Sequence, residues 1–120
     1  HENDGKWSLP GGWVDVNVSV GENVVKEVKE ESGLDVITEK VIAIQDRSKH
    51  NLPIYAYGIC KIFVQCSVIG GKFEENNETT EYRYFSISEL PELATEKNTV
   101  EQIKMCFEAY ESDNWKTLLD

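Results

Sequence analysis

The sequence predicts an α+β fold in which helices pack on a mixed β-sheet. Two segments begin with a Ser or Thr that is followed three residues later by Glu or Gln, which is the spacing of a helix capping box: Ser19 with Glu22, and Thr99 with Gln102. Apolar runs with the composition of strands lie before and between these segments. The order of strand, helix, several strands and helix fits one layered core, and the 120 residues are enough for a single domain over residues 1–120.

The two helices are predicted from their caps and their apolar stripes. The first begins at Ser19 and runs to about residue 32, and Gly33 is expected to end it because glycine readily adopts the left-handed conformation of a helix end. Its apolar residues recur four positions apart and form one stripe that includes Val20, Val24 and Val28. The second helix is predicted over residues 99–110, and its expected buried face consists of Ile103, Cys106, Phe107 and Tyr110.

Strands are predicted on both sides of the first helix. Residues 6–9 form a short strand that stops at the breaker cluster Pro10-Gly11-Gly12. Residues 13–18 alternate apolar and polar side chains, which fits a short strand or an extended loop. The remaining predicted strands cover residues 36–45, residues 54–69 up to a break at Gly70-Gly71, and residues 82–87.

The composition limits the partners of the chain. The formal net charge is −10, so the chain should not bind nucleic acid through bulk electrostatics. A phosphorylated small molecule would need a local positive charge, which a bound divalent cation supplies. No apolar run approaches the roughly 18 residues of a membrane helix, and the first five residues are polar, unlike a signal peptide. We therefore expect a cytoplasmic protein with no membrane segment and no stable nucleic-acid complex.

The three cysteines are expected to be buried free thiols. Cys60 and Cys66 lie in a strand-like apolar run, and Cys106 lies in the second predicted helix. None of them shows the close pairing of a zinc knuckle. A reduced, buried cysteine behaves as a small apolar side chain, so these residues are predicted to serve packing.

Three glutamates on the first predicted helix are the main candidates for chemistry. Glu27, Glu30 and Glu31 are spaced i, i+3 and i+4, so they share one helical face. Like charges this close repel each other, and a hard cation that prefers oxygen ligands, such as Mg²⁺, relieves the repulsion. Taken alone, the run is also typical of a solvated helix surface. The Gly-Gly breaker before the helix and Gly33 after it favour the metal site.

Residues 12–34 resemble the Nudix box. Its pattern is Gly, five residues, Glu, seven residues, then Arg-Glu-apolar-any-Glu-Glu-any-Gly-apolar. Gly12 matches the first glycine, and the matches at the end of the box are Glu27, Val28, Glu30, Glu31, Gly33 and Leu34. The resemblance implies the Nudix fold, in which a mixed sheet is sandwiched between helices in an α/β/α arrangement.

Two positions depart from the box. Val18 stands where the pattern has its first Glu, and the role of that glutamate does not carry over to valine. Lys26 stands where the pattern has Arg, and it keeps the positive charge without the planar fork that binds carboxylates in pairs. Neither change removes a terminal glutamate, so we expect metal binding to persist with looser order around the ligands.

The resemblance also implies the roles of the box residues. The metal would be Mg²⁺ or Mn²⁺, and its ligands would be Glu27, Glu30, Glu31 and the backbone carbonyl of Gly12. In the family the general base is either a box glutamate or an acidic residue of a later loop. The candidates for that base are therefore Glu31, Glu78 and Glu81.

Candidates for substrate contacts lie outside the box. A basic loop offers phosphate contacts from Arg47 and Lys49, with His50 beside them, although a basic loop also serves solubility. Aromatic side chains are candidates for stacking on a nucleobase, although aromatic residues in strands are more often part of a core. These residues are Trp7, Tyr55, Tyr57 and Tyr84.

The resemblance continues beyond the box, over residues 46–51, 78–79, 85–86, 89–93 and 101–103. These segments are similar to the ADP-ribose pyrophosphatase-like branch of the family, which includes CDP-choline pyrophosphatase. Members of that branch carry an extra N-terminal helical region. We therefore expect this Nudix domain to be N-terminally incomplete, without the first strand of its sheet. The implied substrate is a nucleoside diphosphate linked to another moiety, and dimers among the relatives make a homodimer the expected assembly.

Three functions are compatible with these residues. The leading prediction is metal-dependent hydrolysis of the pyrophosphate bond in a compound such as ADP-ribose or CDP-choline. The second is a house-cleaning pyrophosphohydrolase of nucleoside triphosphates, because distant loops, and not the box, set the substrate. The third is a module that senses a nucleotide without cleaving it, which the departures at Val18 and Lys26 favour.

Overall fold

The protein is described by a computed structural model that covers residues 2–3, 5–77 and 79–120. Within these described residues five strands and two α-helices are formed, in the order β1 (Glu2–Asn3), β2 (Lys6–Trp7), α1 (Val20–Ser32), β3 (Leu34–Asp46), β4 (Cys60–Gly71), α2 (Val100–Glu111) and β5 (Leu118–Leu119). Two short 3₁₀ turns, Arg47–Lys49 and Ile87–Glu89, complete the regular structure. This content confirms the predicted α+β class.

The larger sheet is mixed, as predicted. Its strand order is β4-β3-β5, with β3 antiparallel to β4 and parallel to β5. Leu34 at the start of β3 lies opposite Gly71, and Asp46 at its end lies opposite Cys60. The register between these strands shifts at three points, and such irregularities bend and twist a sheet. The short strands β1 and β2 form a separate antiparallel pair.

Both predicted helices are confirmed together with their caps. The Ser19 and Thr99 side chains each accept a hydrogen bond from the backbone N–H three residues on, and Glu22 and Gln102 bond back to the cap residue. Helix α1 ends at Gly33, whose φ of 75° is left-handed. A glycine takes this conformation without the steric cost of a Cβ atom. Helix α1 packs on β3, and this strand begins directly after Gly33.

The apolar core lies between β3, β4 and α2. Its buried members are Ile42, Ala43, Phe63, Met105 and Ala109. Trp115 packs against this cluster, and its indole N–H donates to the Ile42 carbonyl at 2.9 Å. The tail after α2 is therefore held to β3 by both apolar and polar contacts.

The predicted buried face of α2 is wrong in one respect. Tyr110 is 73% exposed, whereas Ala109 beside it is fully buried. The helix is turned so that Gln102 faces inward, where its amide Nε2 donates to Gln45 Oε1 at 2.9 Å and to Asn51 Oδ1 at 2.8 Å. This buried amide network requires polar partners on three elements, which an apolar periodicity cannot reveal.

Two of the predicted strands are corrected. Residues 54–59 form an exposed loop after the cis Leu52–Pro53 peptide, so β4 begins only at Cys60. It then continues through Gly70 and Gly71, which pair with the start of β3 and do not break the strand. Residues 82–86, all within the described part of the chain, adopt no strand. The aromatic residues there pack on one another instead: the ring centroids of Tyr82 and Tyr84 are 5.7 Å apart.

The cysteines are free, but not all are buried. Cys60 is exposed because it opens an edge strand, whereas Cys66 and Cys106 are partly covered. Among the described residues no helix has both the length and the apolar character needed to cross a lipid bilayer.

The three thiols are expected to react with alkylating reagents at different rates. Burial raises the pKa of the Cys106 thiol to about 11 from an ordinary 9.0. At pH 8 its thiolate fraction is therefore about a hundredth of that of an ordinary thiol, and the thiolate is the reactive form. Labelling with iodoacetamide, followed by peptide mass spectrometry, should modify Cys60 at least about tenfold faster than Cys106. The difference should vanish in denaturant, and equal rates in the folded protein would contradict this placement.

Candidate functional site

The loop before α1 runs along one face of that helix. Asn23, Glu27 and Glu31 are four residues apart and lie above one another on this face. Residues 11–15 of the loop contact all three of them through backbone atoms or a close backbone approach. The predicted Gly-Gly entry and the glutamates of the helix are thus brought together.

Two glutamates are held directly against the Gly-Gly turn. The Gly11 N–H donates to Glu31 Oε2 at 3.0 Å, and Glu31 is only 5% exposed. A Cβ atom placed on Gly12 would lie 2.6 Å from the carboxyl carbon of Glu27. Only glycine therefore lets the backbone approach the Glu27 carboxylate this closely.

Glu30 faces a neighbouring region. It is exposed, and it lines a cavity of about 400 Å³ next to the C-terminal end of α1. Besides Glu30, the cavity is lined by two lysines, two further acidic residues, two glycines and one asparagine. They are Lys29, Lys72, Glu74, Glu75, Gly33, Gly71 and Asn76. The box glutamates thus border two adjacent spaces, one at the Gly-Gly turn and one at this cavity.

The donors present at the turn fit a hard divalent cation. They are carboxylate oxygens of Glu27 and Glu31 beside the backbone of Gly12, and oxygen donors are what Mg²⁺ prefers. Within the described residues, no three acidic, His or Cys side chains already converge as a complete metal cage. A site with few protein ligands suits Mg²⁺, which usually keeps several waters and binds substrate phosphates.

The acidic loop after β4, residues 74–81, is tied to the same helix. The Asn76 side-chain amide donates to the Glu31 backbone carbonyl at 3.1 Å, and the Thr79 N–H donates to Asn76 Oδ1 at 3.0 Å. These bonds place the loop at the last turn of α1. Glu81 accepts a hydrogen bond from Arg83, and Glu78 lies outside the described residues.

The basic loop is not brought to the glutamates. Arg47 follows the last residue of β3, whereas Glu31 precedes the first, so they lie at opposite ends of a strand of 13 residues. Arg47 is 5% exposed, and its guanidinium donates to the carbonyls of Glu96 and Pro53. In this chain Arg47 therefore holds its own loop together.

The neighbours of Arg47 are more accessible. Lys49 is exposed, and it borders an open cavity near the end of the chain. His50 Nε2 lies 3.0 Å from the Asp120 carboxylate, which joins the loop to the residues after β5. Both side chains remain at the far end of β3 from Glu31.

Trp7 lies where the chain enters the Gly-Gly turn. Its backbone N–H donates to the Glu92 carbonyl at 2.9 Å, and its backbone carbonyl accepts from the Ala94 N–H at 2.8 Å. The indole packs edge-on against Phe85 with ring centroids 4.9 Å apart. Trp7 is half-buried, and its contact with Phe85 shows that it serves packing at this entry.

Sequence reasoning missed Asn23 and Asp15. Asn23 is 3% exposed, and its side chain bonds to the loop backbone. The Asp15 carboxylate pairs with the Lys26 ammonium group, and this hydrogen bond raises the pKa of Lys26. The available signal was position: Asn23 lies one helical turn before Glu27 on the same face.

Substitution of Gly12 tests the contact with Glu27. In Gly12→Ala the new methyl group must displace the Glu27 carboxylate, which is the movable end of a side chain. We therefore expect Mn²⁺ affinity to fall about tenfold or more, while the melting temperature stays within a few degrees of wild type. Gly11→Ala is the matched control, because a Cβ there meets nothing within 4 Å. Equal Mn²⁺ affinities in isothermal titration of the two variants would contradict the assignment.

Comparison with known proteins identifies the family of the chain. The description "NUDIX domain" applies to the family that matches residues 1–105. The chain is 40% identical over 119 residues, 99% of its length, to the Bacillus subtilis (strain 168) protein named "Putative ADP-ribose pyrophosphatase YjhB". It is 31% identical over 90 residues, 75% of its length, to an ADP-ribose pyrophosphatase of Methanocaldococcus jannaschii. The chain spans 57% and 52% of these two relatives, about half of each.

Solved structures show the same fold. A crystal structure of an ADP-ribose pyrophosphatase from Streptococcus suis has a TM-score of 0.91 and 50% identity, covering 99% of this chain and 85% of that one. A UDP-X diphosphatase has a TM-score of 0.87 and 32% identity, covering 95% of this chain and 55% of that one. Dependence on a divalent metal is general in the matched family. With the box residues in place on α1 and the match over residues 1–105, this chain belongs to the Nudix domain family.

Proposed function

We propose that the protein hydrolyses the pyrophosphate bond of a nucleoside diphosphate that is linked to a second moiety. The observation that carries this proposal is the seating of the Gly11-Gly12 turn on the Glu27 and Glu31 carboxylates. A phosphate-bearing substrate would otherwise be repelled by a chain with a net charge of −10. Carboxylates held together at this turn can bind a divalent cation, and the cation offsets the repulsion between the protein and the phosphates.

The chemistry follows from what the chain presents at this turn. Glu27, Glu30, Glu31 and the Gly12 carbonyl are the proposed ligands of Mg²⁺ or Mn²⁺. When bound, such a cation neutralises phosphate charge and activates a water. The protein supplies position: helix α1 is capped at both ends and the Gly11-Gly12 turn is bonded to it, so the backbone that carries Glu27 and Glu31 is held in place before a substrate binds. Phosphoryl transfer depends mostly on such positioning and on electrostatic stabilisation.

A carboxylate is the proposed acceptor of the proton from the attacking water. Glu31 is the candidate inside the box, and its Oε2 is oriented by the Gly11 N–H. Glu78 and Glu81 are the candidates in the acidic loop, which Asn76 ties to the end of α1. Separate Gln variants of the three residues, assayed as pH–rate profiles, would distinguish them: loss of the acidic limb of the profile identifies the base.

ADP-ribose is the proposed substrate. Two relatives and one solved structure with 31% to 50% identity carry the name ADP-ribose pyrophosphatase. CDP-choline is the second candidate, through the similarity of the segments outside the box. Trp7 remains a proposed substrate contact, whereas Lys49 and His50 lie at the far end of β3 from Glu31 and are not proposed to contact the cleaved bond. Arg47 is proposed to act only through the loop that it holds, because its donors already bond to carbonyls. We propose further that the chain forms a single domain, that the protein is cytoplasmic and that it assembles as a homodimer.

A substrate panel tests the proposed reaction. The protein is assayed against ADP-ribose, CDP-choline and nucleoside triphosphates with Mg²⁺, with Mn²⁺ and with excess chelator, and the products are separated by anion exchange. We expect AMP and ribose 5-phosphate from ADP-ribose, only when metal is present. Turnover of triphosphates alone would replace the proposal with a house-cleaning activity. Tight nucleotide binding without any turnover in excess Mn²⁺ would replace it with a sensor.

A further inference from the structure

Asn23 is a buried polar residue on the glutamate-bearing face of α1, and the box pattern assigns it no role. It is 3% exposed, as deeply buried as the apolar core. We infer that Asn23 is a positioning residue, which holds the loop after Gly12 so that Gly12 and Glu27 keep the geometry needed for a metal ion. This inference rests on the proposed function and assigns its site a further member.

The Asn23 side chain uses both of its polar ends on the loop. Its Nδ2 donates to the Trp13 carbonyl at 3.0 Å, and its Oδ1 accepts from the Asp15 N–H at 3.3 Å. The two bonds bracket Val14 and fix the direction of the peptide that follows Gly12. Leaving a buried polar group without its partner costs about 1–3 kcal/mol, so the loop is strongly favoured in this one position.

The loop has few other contacts, and one of them, the hydrogen bond from the Val18 N–H to the Asp15 carbonyl at 3.3 Å, lies within the loop itself. Trp13, Val14 and Val16 are 68%, 50% and 88% exposed, so apolar packing does not anchor these residues. The ion pair of Lys26 with Asp15 is open to solvent, with side chains 38% and 52% exposed. Exposed ion pairs contribute only about 0–1 kcal/mol because water screens them. Asn23 is therefore the main restraint between Gly12 and the start of the helix.

The hydrogen bond of Asn23 acts on the residue next to Gly12, whose backbone belongs to the proposed metal site. Gly12 directly precedes Trp13, whose carbonyl Asn23 holds. A rotation of the Trp13 peptide would move the Gly12 backbone away from the Glu27 carboxylate, which lies so close that a Cβ atom on Gly12 would overlap it. Groups that orient metal ligands typically change metal affinity about 10–100-fold when they are removed.

The test compares two buried asparagines. Asn23→Ala and the nearly isosteric Asn23→Leu remove the loop contacts, and Asn51→Ala is the matched control. Asn51 is 2% exposed and its side-chain amide donates to the Thr95 carbonyl, at the opposite end of β3. Mn²⁺ affinity is measured by electron paramagnetic resonance of the free ion. Amide hydrogen exchange at Gly11 and Asp15 is measured by NMR in the absence of metal.

The expected result distinguishes a role of Asn23 in positioning the loop from a general role in the stability of the fold. Both Asn23 variants should weaken Mn²⁺ binding about tenfold and expose the Gly11 and Asp15 amides to exchange, whereas Asn51→Ala should lower the melting temperature and leave both readouts near wild type. Wild-type exchange at these amides in the Asn23 variants would overturn the inference, as would an equal loss of Mn²⁺ affinity in Asn51→Ala. Absence of Mn²⁺ binding by the wild type would instead refute the proposed metal site, which makes the two failures distinguishable.

Discussion

Replacement of Glu30 and Glu31 together by glutamine is expected to lower kcat/KM for ADP-ribose by a factor on the order of 10³ or more. Glutamine has nearly the same shape as glutamate and can still accept the Gly11 hydrogen bond, so the turn should stay seated on the helix. The amide, however, lacks the negative charge that binds a hard cation. Loss of activity should therefore occur without loss of folding, which circular dichroism and steady-state kinetics with Mg²⁺ would show together.

The matched control is a double change on the other helix. Glu101→Gln with Glu108→Gln also removes two carboxylates from a helix, at exposed positions of α2. It alters the net charge by the same amount, so any general electrostatic effect on the substrate is reproduced. This control should keep kcat/KM within about twofold, since surface substitutions away from a site have small effects. Full activity in the Glu30/Glu31 variant would eliminate the proposed metal site.

Substitution of Gly33 by alanine is expected to cause a large loss of stability. A Cβ atom at this position would lie 2.1 Å from the Lys72 carbonyl oxygen, which belongs to the backbone. The φ of 75° adds the cost of a left-handed conformation for alanine. Together these effects should lower the free energy of unfolding by about 3–5 kcal/mol, or the melting temperature by about 10–20 °C.

Gly21→Ala is the control for this stability loss. Gly21 lies in the first turn of the same helix, and a Cβ there meets nothing within 4 Å. Because alanine favours helix more than glycine does, this variant should be neutral or more stable by up to about 1 kcal/mol. Thermal melts of the two variants compare directly. A Gly33→Ala protein that melts with the wild type would show that the helix end and Lys72 do not meet as described.

The sequence predicted the helices well because their signals are local. Each capping box lies within four residues, and Gly33 marks the end of α1 through its own backbone preference. Strand limits were predicted less well, since pairing is decided by distant partners. Gly70 and Gly71 suggested a break, yet the start of β3 pairs with them. Nothing in residues 82–87 alone could reveal that their aromatic side chains pack on one another instead of joining a sheet.

The candidate site was predictable where spacing along one helix decides it. Glu27 and Glu31 meet the Gly-Gly turn as the box pattern implies. The basic loop could not be placed in this way, because the position of Arg47 depends on the length of β3 and on carbonyls 6 and 49 residues away in the chain. Asn23 was missed for a related reason: its partners are backbone groups, which every residue carries and no motif records.

The contact of Gly33 with the end of β4 has a consequence for the divergence of substrate preference. The acidic loop is attached to α1 at its near end, by the approach of Gly33 to Lys72 and by Asn76 on Glu31. Insertions or deletions after residue 76 would thus remodel the acidic loop, which carries the candidate bases Glu78 and Glu81, while the proposed metal ligands on α1 keep their positions. Under the proposed function, the metal-binding helix and this loop are separate segments, so substrate preference can diverge in the loop while the proposed metal ligands are retained.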